Sequence, residues 1–416
     1  MPRFAPRPFR DVFGLFLAAL PAVLAACTRG DAAPPPVAQV DTLPSGVIRV
    51  TSGQPTGWAD SSRAWQLVEV ARVDPADGSA GELVEPGSIG VDGAGRIYVV
   101  DQKPAVIKVF DSTGTFLRTI GREGSGPGEF RVGYLAVTAD RIVLHDPMQS
   151  RTSVFDTSGT FLTSWVSSCC YWTDISVDRA ERAYIPANIR RTEGDRDRGM
   201  PYLRYRLDGT PIDTVWVPRR DDDTKSWQFS RKGADGKVTG MMSTTVPFTP
   251  RLTSTFHPDG GFVLGWSGEY RLVRSETGAD TTALYERAWT PDPIPEAVRE
   301  ARVEAMVKKH RQHGHRGHRP VADRAAGGHP DDGARLHPAR RGPGRATSTP
   351  AILLVMADST RPSYDLFSPQ GARLGEIRFP VRVEDYAGMP GRESVYTVST
   401  DEDGPLPIVV HLALRR

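Results

Sequence analysis

Two stretches of this chain place short apolar runs between Asp and Gly at matching offsets. The first reads Gly95-Arg96-Ile97-Tyr98-Val99-Val100-Asp101, then Val109-Phe110-Asp111-Ser112-Thr113-Gly114-Thr115-Phe116-Leu117. The second reads Asp140-Arg141-Ile142-Val143-Leu144-His145-Asp146, then Val154-Phe155-Asp156-Thr157-Ser158-Gly159-Thr160-Phe161-Leu162. Apolar and β-branched runs of this length, bounded by Asp and Gly, predict strands. The Asp-x-x-Gly between runs predicts a tight turn with its Gly in the left-handed region. Each copy therefore holds two hairpins, and repetition at a period of 45 residues implies stacked or radial β-units.

Degenerate copies continue at Tyr205-Arg206-Leu207-Asp208-Gly209, Phe256-His257-Pro258-Asp259-Gly260-Gly261 and Tyr364-Asp365-Leu366-Phe367-Ser368-Pro369-Gln370-Gly371. Gly114, Gly159, Gly209 and Gly371 each follow an aromatic by four residues, namely Phe110, Phe155, Tyr205 and Phe367. One ring per unit would pack between neighbouring sheets. Four short strands per copy make a propeller blade, and the pattern places blades at about 88–120, 135–165, 175–216, 255–287 and 350–380. A sixth is expected from both termini: Ser394–Thr400 and Ile408–Leu412, completed by segments near Val47–Val50 and Trp65–Val70, so that no sheet edge is exposed. The expected fold is an all-β, six-bladed β-propeller closed by N- and C-terminal strands.

Composition agrees, since 416 residues with 39% hydrophobic, 41 Gly and 35 Pro suit a turn-rich all-β chain. A net charge of +2 gives the whole molecule no case for nucleic acid. The N-terminus adds a separate element. Arg3, Arg7 and Arg10 precede the apolar run Val12–Ala26, too short to span a bilayer but matched to a secretory signal. It ends Leu24-Ala25-Ala26-Cys27, which resembles the lipobox of bacterial lipoproteins and implies a signal peptide over 1–26 with lipid attachment at Cys27. The polar, Ala/Pro-rich stretch that follows predicts a tether over 27–45, leaving 46–416 as the propeller. The expectation is an exported protein joined to the membrane through its lipid, with Thr28 after the Cys favouring an outer membrane facing the periplasm or surface. Cys169 and Cys170 are adjacent, with Cα atoms fixed about 3.8 Å apart, below the usual disulfide range, and are expected as thiols; a vicinal bridge and a metal site are the other readings.

The segment Pro86–Trp165 resembles the six-bladed β-propeller family of NHL type, found in many exported bacterial lipoproteins. The resemblance rests on Ile89-Gly90-Val91-Asp92-Gly93-Ala94-Gly95-Arg96-Ile97-Tyr98-Val99-Val100-Asp101, on Phe110-Asp111-Ser112-Thr113-Gly114, and on the connector Ile120-Gly121-Arg122-Glu123-Gly124-Ser125-Gly126-Pro127-Gly128-Glu129-Phe130. That family is a fold rather than a reaction, with binding modules, scaffolds and a few metal-dependent lyases or hydrolases among its members. No Gly-x-Ser-x-Gly, His-Glu-x-x-His or phosphate-binding loop is present. The reading is a lipid-anchored envelope propeller that binds a protein, peptide or glycan without catalysis. The alternatives are a metal-dependent lyase or hydrolase with its site in the channel, and a purely structural part of an envelope assembly. No cofactor is expected; Ca²⁺ held by oxygen ligands stays open, because only His145, His257 and His411 lie outside the stretch described next.

Candidate ligand-binding residues are Asp101 and Asp146, which end equivalent strands, with Lys103, Arg151, Tyr171 and Trp172 in or beside connectors; Arg122 and Glu123 lie nearby. For the two aspartates the competing role is to accept backbone N–H bonds in the following turn. Residues 221–250 leave the repeat pattern and could cover the propeller, meet a partner or decorate a loop. Residues 310–349 break with everything else: six of nine His and eight Arg fall there, with no strand pattern. Metal chelation, a basic disordered loop and an out-of-frame stretch compete; the last is favoured, because the blade pattern resumes after Ala351 while Pro293–Lys309 reads as a helix.

Overall fold

The computed structural model describes residues 38–53, 64–169, 171, 174–195, 198–218, 226–232, 235–248, 252–266, 269–287, 294–312, 316–317, 351–354, 363–367, 373–381, 385–390, 394–400 and 407–415. The leader, Cys27, residues 28–37 of the tether, Trp172 and residues 318–350 lie outside them.

Six antiparallel sheets follow one another along the chain. Blade 1 comprises Pro86–Val91, Ile97–Gln102, Ala105–Phe110 and Phe116–Ile120. Blade 2 comprises Tyr134–Val137, Arg141–Asp146, Arg151–Asp156 and Phe161–Val166. Blade 3 comprises Ser176–Val177, Arg182–Pro186, Arg198–Arg206 and Pro211–Pro218. Blade 4 comprises Leu252–Phe256, Phe262–Trp266, Arg271–Ser275 and Ala283–Arg287. Blade 5 has three described strands, Ala351–Leu354, Ser363–Phe367 and Arg373–Arg378. Blade 6 comprises Asp385–Pro390, Ser394–Thr400 and Pro407–Arg415, closed by the N-terminal strand Gln66–Val73. The first strand of blade 1 lies beside the first strands of blades 2 and 6, and that of blade 2 beside that of blade 3, which places these strands nearest the axis. The chain is a six-bladed β-propeller.

The closure differs from expectation in one respect. Asp385–Pro390, whose Asp, Gly and Pro disguise it as a loop, fills a place in blade 6, so only one N-terminal strand is needed there. Ile48–Ser52 instead adds in parallel to the outer edge of blade 4, opposite Ala283–Arg287. Residues 38–45, expected within the tether, are not a tether: Ala38–Thr42 pairs antiparallel with Ile48–Ser52. The turn between them closes on Gly46, at φ 82°, and Val50 and Ser52 of the hairpin are buried.

Adjacent blades interlock through the repeated turn. Gly114 and Gly159 take φ of 93° and 98°, as Asp-x-x-Gly predicts, and Gly209, after Arg206-Leu207-Asp208, takes 89°. Each also presses on the outer strand of the preceding blade. A Cβ at Gly114 would overlap the Arg72 carbonyl oxygen of the closing strand, one at Gly159 would come 2.7 Å from the Ile120 side chain, and one at Gly209 3.0 Å from Trp165. The aromatic preceding each turn is buried at the same seam. Phe110 packs with Val73 and Val409 of blade 6, Phe155 with Val100 and Ile107 of blade 1, and Tyr205 with Val143 and Val154 of blade 2. Phe367 packs with Val263 and Leu272 of blade 4.

Two junctions carry insertions. Between blades 3 and 4 lies the hairpin Ser226–Lys232 with Val238–Thr245; between blades 4 and 5 lie the helix Glu296–Gln312 and the short strand Arg316–Gly317. The helix runs three residues past the expected Lys309, into the anomalous stretch. Phe229 and Ser230 pair with Gly317 and Arg316, so the two insertions join in one small sheet that belongs to no blade. The first strand of blade 5 would fall before Ala351, outside the described residues.

Candidate functional site

Each blade turns back twice on one face of the propeller and twice on the other. Tight turns after the first and third strands form one face, the turn face. The loops after the second strand and the connectors between blades form the opposite, connector face, where the five described candidate residues fall.

Asp101 and Asp146 brace this face. Asp101, fully buried, accepts the backbone N–H of Glu85 at 2.8 Å and of Val84 at 3.0 Å. Asp146 accepts those of Arg131 at 2.8 Å, Met148 at 2.9 Å and Gln149 at 3.2 Å, and the Gln149 side-chain amide at 2.7 Å. Each carboxylate thus ties its loop to the connector entering its own blade, satisfying amides that would otherwise be stranded. Lys103 reaches outward to Glu85 at 2.8 Å, both exposed. Arg151 faces Asp146 across the strand pair and donates to the carbonyl oxygens of Ser125 at 2.9 Å and of Glu129. Glu129 in turn holds Arg122 at 2.6 Å and accepts the Gly126 N–H at 2.8 Å, and the Gly126 amide, ahead of Arg122, keeps its carboxyl below the usual range. Tyr171 is half-buried on the connector leading to blade 3, and Trp172 lies outside the described residues. The structure therefore brings Asp101 and Lys103 to one loop of blade 1, and Asp146 and Arg151 to the equivalent loop of blade 2, with neither carboxylate ion-paired to its neighbour among the described residues. Cys169, expected as a thiol, is in a disulfide whose partner is outside the described residues.

Sequence reasoning missed several polar links. Ser88 of the first strand of blade 1 donates to Asp174, in the connector entering blade 3, at 2.9 Å. Gln102 exchanges two bonds with the Gly133 backbone, at 2.9 and 3.1 Å, joining blade 1 to blade 2. On the turn face Asp92 accepts the Ala94 and Arg96 amides at 2.9 and 3.0 Å, with Arg96 Nε at 2.6 Å and the Tyr98 hydroxyl at 2.9 Å. Asp178 repeats this with Ala180, Arg182 and Tyr184. The signal was present as Asp-x-x-x-Arg-x-Tyr, two repeats apart. Both tyrosines reach the next blade: the Tyr98 hydroxyl lies 3.2 Å from the Thr157 carbonyl oxygen, and the Tyr184 hydroxyl accepts the Gly261 N–H at 2.9 Å.

His145 is the one fully buried imidazole described. Its Nδ1 lies 3.2 Å from both the Thr152 and Ser167 hydroxyls, and its Nε2 has no partner among the described residues. Burial pushes its pKa down to about 4 from 6.5, against the opposing charge of Asp146. The folded state therefore refuses a proton that the unfolded chain accepts. Stability from this group is complete above pH 6.5 and drains away as pH falls toward 4, by roughly 3 kcal/mol at most. Denaturant titrations across that window should show a shallower decline for His145→Gln than for the parent; parallel curves would remove His145 as the cause.

Among the described residues no three His, Cys, Asp or Glu side chains gather to hold a metal. Two Arg side chains flank one ring on blade 3: Arg191 and Arg198 stand 5.4 and 5.5 Å from the centre of Trp216.

Fold and site together define a six-bladed β-propeller with a braced connector face. A family model described as a 6-bladed β-propeller matches residues 81–133, which span blade 1 and its connector to blade 2. Solved structures similar to this chain are propellers of varied function. A protein described as exported from Bacteroides fragilis is 14% identical, covering 89% of this chain and 100% of that one with a TM-score of 0.45. A DUF4221-family member from Bacteroides vulgatus is 10% identical over 84% and 98%, with a TM-score of 0.49. Virginiamycin B lyase from Staphylococcus aureus is 10% identical over 85% and 100%, with a TM-score of 0.38. No curated protein matches the sequence significantly.

Proposed function

We propose that this chain is an exported propeller of NHL type, anchored by a lipid at Cys27, that acts without catalysis as a binding module through its connector face. The observation that carries the reading is the repeated bracing of that face. Asp101 and Asp146 spend their carboxylates on backbone amides, so the loops they hold are fixed before any partner arrives and lose little entropy on binding. Both insertions rise from the same face. The lipobox-like Leu24-Ala25-Ala26-Cys27 supports the anchor.

Two measurements test this. Cys27→Ser should abolish incorporation of labelled fatty acid, and continued labelling of the variant would overturn the anchor. The purified domain should then be surveyed against peptides, glycans and lipid vesicles. Whichever probe it retains, Met148→Asp with Lys103→Glu should weaken retention roughly tenfold, whereas Ser112→Asp on the turn face should not. Loss through Ser112→Asp alone would place binding on the other face.

A further inference from the structure

The ring closes in blade 6, and the seam there holds an imidazole that no neighbour satisfies. His411 lies on Pro407–Arg415, opposite Tyr396 on one side and opposite Ala71 of the closing strand on the other. Its ring stacks on that of Tyr396, with centres 4.2 Å and planes 15° apart. Both ring nitrogens are shielded from solvent and have no hydrogen-bond partner among the described residues. Burial, and after it the Arg415 cation, hold the His411 pKa below its usual value.

The strand across from it is joined to its sheet by pairing alone. The outer strands of blades 1 to 3 follow their neighbours through tight turns, and that of blade 4 is overlaid by Ile48–Ser52. Gln66–Val73 comes from the other end of the chain, and its one ladder among the described residues is with Pro407–Arg415. That ladder slips between Glu69 and Ala71, next to the residue opposite His411. Residues opposite one another share a face of the sheet, which sorts the charges around the imidazole. Glu69 and Arg72 stand opposite Leu412 and Val410, pair with each other at 2.9 Å, and so occupy the other face. The His411 face carries Ala71, Val73, Arg415 and Tyr396, whose pKa burial pushes up to about 12. Asp385, on the strand beyond Tyr396, takes a place opposite Val398. Blade 1 packs against this face through Ile97, Val99 and Phe110, and Lys108, in register with Val99, donates to the Ala80 carbonyl oxygen at 2.9 Å.

We propose that blade 6 is an acid-sensitive clasp, in which a proton taken up by His411 releases Gln66–Val73 and opens the ring while the hairpins of the other blades stay paired. An imidazolium in the closed seam has no acceptor for either N–H among the described residues and meets the like charge of Arg415; once the strand leaves, water reaches it. The open form therefore binds the proton more tightly than the closed form, and acid shifts the population toward it, by at most about tenfold per pH unit. Closure has its full strength above pH 6.5, where both forms are neutral, and weakens as pH falls from there toward the lower pKa of the closed form.

The test is amide hydrogen exchange of the full chain at pH 7 and at pH 5, corrected for the intrinsic rate at each. Protection across residues 66–73 should fall roughly fivefold or more between the two, while Ile97–Gln102 and Arg141–Asp146 keep theirs. His411→Phe retains a ring to stack on Tyr396 but takes no proton, so its 66–73 segment should be equally protected at both pH values. Arg415→Gln leaves the stack untouched and removes the like charge, which should shrink the response without abolishing it. Unchanged protection in the parent, an equal loss in the parent and His411→Phe, or a loss that runs evenly through all blades overturns the clasp. If His411→Phe does not fold, an undiminished response in Arg415→Gln overturns it instead.

Discussion

Gly114→Val should destabilise the propeller more than Gly159→Val, although the two glycines hold equivalent places in the repeat. Both lie in the left-handed region, at φ 93° and 98°, so a branched side chain costs about 1–2 kcal/mol at either from backbone strain alone. The surroundings separate them. At Gly159 the obstacle is the Ile120 side chain, which can rotate aside; at Gly114 it is the Arg72 carbonyl, and backbone in a sheet cannot give. Arg72 belongs to Gln66–Val73, the single N-terminal strand that closes blade 6 against the C-terminal strand. Forcing it outward adds the roughly 1–3 kcal/mol of an overpacked seam, for about 3 kcal/mol or more in all. Amide exchange should then quicken across residues 66–73 in Gly114→Val, while in Gly159→Val it should quicken along the Phe116–Ile120 edge. Equal losses in the two variants, with no change in the closing strand, would show that the seam at Arg72 is looser than its geometry.

The sequence was most legible where the period is intact. The Asp-x-x-Gly signature marked two left-handed glycines, Gly114 and Gly159, because the backbone leaves few residues free to take that conformation. The aromatic four positions earlier marked the seam for a similar reason: a large ring at a fixed place in every sheet has only the neighbouring blade to pack on. Legibility failed where placement depends on partners distant in sequence. Asp385–Pro390 carries residues that resist strand formation, and only its neighbours in blade 6 make it one. Ile48–Ser52 looks like any amphipathic strand, and nothing local says that it pairs with blade 4 rather than blade 6. At the candidate site the residue types were readable and their roles were not. Asp101 could have presented its carboxylate to a ligand; that it instead holds Val84 and Glu85 depends on a connector 16 and 17 residues upstream. His145 gave no signal, since a histidine in an apolar strand looks the same whether or not its Nε2 finds a partner.

Asp365→Ala should cost roughly 3–5 kcal/mol, because it removes the carboxylate paired with a buried guanidinium. Arg373 is 1% exposed, with Nη2 2.6 Å and Nε 2.8 Å from Asp365 Oδ1. The other carboxylate oxygen accepts the Tyr270 hydroxyl from blade 4, and burial, followed by this carboxylate, lifts the Tyr270 pKa well above its usual value. The Arg373 backbone N–H donates to the Ser52 hydroxyl of the N-terminal hairpin at 3.0 Å. One ion pair thus lies where blade 4, blade 5 and that hairpin meet, at the blade with three described strands. Removing the carboxylate takes the Asp365 counter-charge from a buried guanidinium, which costs far more than the intact pair contributes. Replacing both tests this account: Asp365→Leu with Arg373→Met should recover most of the loss, since well-packed apolar groups can substitute for a buried pair. Equilibrium unfolding of the single and double variants provides the measurement. A double variant no more stable than Asp365→Ala would mean that the residues act through separate contacts, with Ser52 and Tyr270, rather than as a pair.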